Sequence, residues 1–147
     1  MPPINWLSIV VAAIVPMLVG FVWYNPKVFG AGWMKAAGLT EADAKKGNMA
    51  VIFGVSLVLS FLMSIYILFN VDGPGQEGVY DSFRHGAFHG AAMALMLATP
   101  VMVTNALFEQ KSLRYMLYNI GFWLVSLALM GGVLDMMNHF PNELPVQ

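Results

Sequence analysis

The chain has no cysteine, which excludes disulfides, thiolate nucleophiles and thiolate metal centres together. Charge is scarce as well: Asp, Glu, Lys and Arg make up 10% of 147 residues, against about 25% in an average soluble domain. Seven basic and eight acidic side chains leave a formal net charge of −1, and the basic ones gather in no patch, which argues against nucleic acid as a partner. The opening residues lack the basic segment of a cleavable signal peptide, so the first apolar stretch is expected to stay in place. What fills the chain instead is apolar, with 59% hydrophobic residues and a mean hydropathy of +0.68. Only a bilayer offers a solvent for that much apolar surface.

The apolar residues fall into four runs, about 4–24, 49–69, 83–107 and 113–137. Each has the roughly 20 residues that a helix rising about 1.5 Å per residue needs to cross a membrane. Lipid supplies no hydrogen-bond partner, so the backbone there must satisfy itself as helix. The expected fold is an all-α membrane protein, a four-transmembrane-helix antiparallel bundle, with residues 1–147 forming one membrane domain.

Charge in the connectors orients the bundle. Lys27, Lys35, Lys45 and Lys46 follow the first run, and Lys111 and Arg114 sit in the tight turn after the third. The opposite side has Arg84 as its one basic side chain, with Asp72, Glu77, Asp81, Asp135 and Glu143. By the positive-inside rule, both termini are expected outside and the first and third connectors in the cytoplasm. Trp6, Tyr66 and Tyr80 then mark the outer interface, and Trp23, Tyr24, Trp33, Tyr115 and Tyr118 the inner one.

The first connector reads WYNPKVFGAGWMKAAGLTEADAKK. Asn25 before Pro26 ends the first helix. Phe29, Trp33 and Ala37, spaced by four with Lys27 and Lys35 nearby, form an interfacial segment over about 27–38. Gly38 closes it, and Thr40 with Asp43 resembles a capping box, so the second spanning helix is expected to begin near Glu41. The stretch Trp23, Tyr24, Pro26, Phe29, Gly30, Trp33, Met34 and Lys35 through Gly38, Leu39 and Thr40 resembles the signature of small bacterial membrane proteins grouped as domain of unknown function 1761. The opening Ile4, Asn5, Trp6 and Leu7 is similar to that family too, as is Thr104 through Glu109 leading by Lys111 and Ser112 into Leu113. The resemblance implies a four-helix protein of a bacterial inner membrane and brings no catalytic residue with it.

Within the runs, Ser56, Ser60 and Ser64 share one helix face, as do Gly86, Gly90, Ala94 and Ala98 on the third run. Small residues at this spacing let helices approach closely, within one chain or between subunits of a homo-oligomer. Pro100 removes an intrahelical hydrogen bond and is expected to kink the third helix. Asn105 and Asn119 lie where the third and fourth runs meet and are expected to bond to each other.

His85 and His89 are four apart, and His89 lies about 9 Å past Phe83 by helical rise, a depth at which an imidazole needs a partner. Asp81 continues the stripe, and Asp135 and His139 are four apart on the fourth run. His85, His89 and Asp135, with His139 or Asp81, form a candidate polar cluster and a candidate ligand set for a divalent metal ion. The same groups suit proton transfer. Plainer roles compete: Asp81 as a helix cap, His85 among headgroups, His139 in a tail, and His89 in structural hydrogen bonding.

No complete catalytic constellation is present, so the sequence points first to an accessory or structural membrane component that forms oligomers. A small transporter or channel for protons, metal ions or small solutes is the second reading, and an intramembrane metalloenzyme the third.

Overall fold

A computed structural model describes residues 4–72 and 80–138. Among the described residues the regular structure is all helical, and four helices are long and apolar enough to cross a membrane: Trp6–Trp23, Met49–Val71, Phe83–Phe108 and Leu113–Met137. They fall within a few residues of the four runs in the sequence. We label these α1, α4, α5 and α6. Two short helices, α2 (Ala31–Ala37) and α3 (Glu41–Lys46), occupy the first connector. The chain is a multi-pass membrane protein.

Local chemistry sets each boundary. The Asn5 side chain accepts from the N–H groups of Leu7 and Ser8 to start α1, and Asn48 accepts from Val51 to start α4. Ser82 opens α5 and Ser112 opens α6 in the same way. Gly38, at φ 73°, closes α2 in the left-handed region that glycine enters without strain. The Thr40–Asp43 capping box is formed in both directions. It opens the short α3 and not a spanning helix, because Gly47 takes an extended conformation and separates α3 from α4.

Proline is absorbed by π geometry. After Pro26 the chain runs as a π turn over Pro26–Gly30. In α5, α-helix over Phe83–Met93 widens to a π segment over Ala94–Ala98 and resumes over Thr99–Phe108. The Thr99 hydroxyl and N–H both donate to the Ala94 carbonyl ahead of Pro100. The expected disturbance at Pro100 therefore takes the form of one wide turn in a continuous helix.

The bundle is organised around α6. Asn5 and Ser8 at the start of α1 meet Met137 and Asn138 at the end of α6, so these two helices are antiparallel. We call this the distal end, and the opposite one, with the α5–α6 connection, the turn end. The start of α5 reaches the finish of α6, which makes that pair antiparallel as well. The apolar core joins Ile9 and Ala12 of α1, Ile67, Leu68 and Val71 of α4, Ala94 of α5, and Leu127, Met130 and Leu134 of α6. Every α4 residue in that core comes from its second half.

The small-residue stripes divide. A Cβ on Gly86 would meet the Gly131 carbonyl, and one on Gly90 would meet that of Leu127, so α5 and α6 touch backbone to backbone. Gly86, Gly90 and Ala94 are thus consumed inside the protomer. Ser60 and Ser64 are buried, with the Ser64 hydroxyl donating to the Ser60 carbonyl, whereas Ser56 is exposed.

Candidate functional site

Two polar constellations stand out, one at each end of α6. At the distal end, Ser82 caps α5 by accepting from the His85 N–H at 3.2 Å. That turn brings Ser82 and His85 over the last turns of α6, where Asp135 is 2% exposed. One carboxylate oxygen, Asp135 Oδ2, lies 3.0 Å from His85 Nδ1 and accepts the Ser82 N–H at 3.3 Å. Close approach of the helices permits this, because the missing Cβ of Gly86 would strike Asp135 Cβ at 2.5 Å. The His89 ring stands edge-on to His85 at 4.5 Å between centroids, and the Tyr80 ring lies tilted against His85 at 5.3 Å.

His85 Nδ1 and Asp135 Oδ2 share this contact, and Nε2 stands at the other edge of the His85 ring. The structure brings His85, His89 and Asp135 together at one end of α5 and α6. His139 lies outside the described residues. Asp81 precedes the Ser82 cap and is half-buried; the cap itself is Ser82, the residue after the expected one. Among the described residues, no three His, Asp or Glu side chains converge so as to hold a metal ion. What the geometry forms is an Asp–His pair with a second imidazole against it.

At the turn end, the first connector folds back onto α1 and α6. Trp23 packs on Phe29 at 4.6 Å, Tyr24 on Trp33 at 5.0 Å and on Phe122 at 5.1 Å, and Phe29 faces Tyr118 at 6.0 Å. Glycine makes the packing possible, because a Cβ on Gly121 would meet the Trp23 ring at 2.7 Å. Asn119 anchors the cluster: its Oδ1 accepts from Tyr24 Oη at 3.3 Å and from Trp33 Nε1 at 3.2 Å. The expected Asn105–Asn119 bond is not made, since two aromatic donors from the first connector reach the Asn119 oxygen instead. Asn105 and Asn119 do line one cavity of about 280 Å³ beside the α5–α6 turn.

Sequence reasoning gave Trp23, Tyr24 and Trp33 the role of interface anchors and missed that they form one internal cluster. The signal available was their concentration in the connector beside Gly30 and Gly32. A Cβ on Gly30 would meet the Tyr24 carbonyl, and one on Gly32 the Tyr118 hydroxyl.

The family model described as "Protein of unknown function (DUF1761)" matches residues 7–135, and the chain belongs to that family. No curated protein and no solved structure matches the chain. The matched segment includes the turn-end cluster, His85, His89 and Asp135. The family's function is unknown and assigns no role to any of them.

Proposed function

We propose that this chain is a small accessory or structural component of a bacterial inner membrane that works as a homo-oligomer. In this reading the distal end faces outward and the turn end faces the cytoplasm, as the connector charges direct. The supporting observation is the first half of α4. All eleven residues from 49 to 59 are exposed, and a Cβ on Gly54 would meet nothing within 4 Å. The rest of α4 is held by Ser60, Ser64, Ile67, Leu68 and Val71. Half of one spanning helix thus stands clear of its own bundle, beside a cavity of about 480 Å³ between α1, α4 and α6.

Ala50 and Gly54, four apart, put two small residues on one face of this free stretch. Association in lipid is driven by close packing, and small residues permit it. Mass measurement in mild detergent or nanodiscs tests the reading. The protein should run as a multiple of the 16.1 kDa protomer, and Ala50→Trp with Gly54→Trp should reduce it to one protomer without loss of helix. A protomer mass for the unaltered protein would overturn the proposal.

The Asp135–His85 pair favours a second reading, in which the distal cluster passes protons as part of a small transporter. Proton flux in liposomes should then be present and should vanish with Asp135→Asn.

A further inference from the structure

The cavity at the turn end is built where α5 stops and α6 starts. A Schellman closure ends α5: the Lys111 N–H donates to the Ala106 carbonyl at 2.8 Å and the Gln110 N–H to Leu107 at 3.0 Å. Gln110 takes φ 55° to make it. Ser112 then caps α6 by accepting from Tyr115. This closure leaves Glu109 at the mouth of the cavity, with Asn105 one turn back on α5 and Tyr115 and Asn119 on α6. Deeper in, Met102 and Trp123 form apolar walls. From Tyr115 to Trp123 the lining descends about 12 Å by helical rise, from the headgroup level into hydrocarbon.

The charge lining the cavity is of one sign. No basic side chain lines the cavity, and the one charged group that does is Glu109. Among the described residues the Glu109 carboxylate has no ion-pair or hydrogen-bond partner. The Asn119 oxygen is taken by Tyr24 and Trp33, which fixes the amide, and its Nδ2 donor has no partner among the described residues. The Tyr115 ring already holds a cation, with Lys111 Nζ 5.7 Å from its centroid at the rim.

We propose that this cavity binds the head of an ammonium-bearing amphiphile, with an aminophospholipid as its source. Glu109 takes the ammonium, Lys111 at the rim faces the phosphate, and the Met102 and Trp123 walls receive the start of the acyl chains. The volume suits a headgroup, being near the lower limit of about 300 Å³ for small-molecule sites. A zwitterion fits the arrangement better than an anion, because a carboxylate, Glu109, and an ammonium, Lys111, stand together at the mouth above the apolar walls. The inference is independent of self-association through α4.

Thermal midpoints of the purified full chain in mild detergent test it, with phosphatidylethanolamine, phosphatidylglycerol or soluble ethanolamine added in turn. Phosphatidylethanolamine should raise the midpoint at a concentration about tenfold lower than phosphatidylglycerol requires, a difference of about 1.4 kcal/mol. Glu109→Gln, a change at an exposed turn residue, should erase that preference while the lipid-free midpoint stays. A gain from ethanolamine alone that Glu109→Gln removes would keep the ammonium site and assign it a soluble source. Equal response to both lipids, or a preference that survives Glu109→Gln, would overturn the proposal. Native mass spectra reporting which lipid stays bound give a second readout, free of any stability change.

Discussion

Replacing Gly90 by alanine adds one methyl group where two helices meet backbone to backbone. The new Cβ would strike the Leu127 carbonyl, with the Leu127 carbonyl carbon at 2.6 Å and the Ala128 Cα at 3.0 Å. None of these is the end of a flexible side chain, so the helices themselves must separate. Overpacking costs about 1 to 3 kcal/mol, and a backbone obstacle puts this case near about 3. Alanine recovers up to about 1 kcal/mol of helix propensity over glycine. The net loss is about 2 kcal/mol, roughly 30-fold in the folding equilibrium. Gly54→Ala is the matched control, since open space surrounds it, and the propensity gain alone should leave it neutral or slightly stabilised. Both variants can be unfolded by denaturant in mild detergent and followed by the fluorescence of the four tryptophans. A Gly90→Ala midpoint equal to that of the unaltered protein, or to that of Gly54→Ala, would refute the α5–α6 packing.

Asp135→Ala should cost about 1 to 3 kcal/mol, because it removes the partner of His85 Nδ1 and the acceptor of the Ser82 N–H together; the same unfolding assay reads it. Ser126→Ala should match or exceed the stability of the unaltered protein, since the Ser126 hydroxyl is fully buried and has no hydrogen-bond partner among the described residues; a clear loss would show that the hydroxyl is bonded. The Lys46 ammonium beside Asp43, with the Thr40 hydroxyl and N–H, holds the Asp43 carboxyl below the usual carboxylate range. A lowered folded value means the α3 cap is in full force above the ordinary value of about 3.9 and fails only as pH falls through the lowered one. Carbon NMR of the Asp43 carboxyl should show that late titration, and a midpoint at or above the ordinary value would contradict the cap.

The spans were legible because length and hydropathy decide them without reference to a partner. Gly38 as a left-handed closure and the Thr40–Asp43 box were legible for a related reason, since both are local chemistry within four residues. Partner choice was not. Gly86 and Gly90 offered a close-packing face with no sign that Gly131 and Leu127 of the same chain would take it. Asn105 and Asn119 lay at similar depth, yet the Asn119 oxygen went to Tyr24 and Trp33, which are 95 and 86 residues away in sequence. At the distal end, the i, i+4 spacing of His85 and His89 did place them on one face. Which group would meet Asp135 was set by the Ser82 cap and the Gly86 contact, both products of the assembled bundle.

Self-association through the first half of α4 is the central claim, and the absence of cysteine makes it directly measurable. Single cysteines placed one at a time from Val51 to Val58 should form disulfides between copies in native membranes under mild oxidation. The yield should rise and fall with helical period and peak on the face of Gly54, which Val51 and Val58 share, as one packed interface requires. Uniformly low yield across all eight positions would mean that this stretch faces only lipid, and would contradict the account.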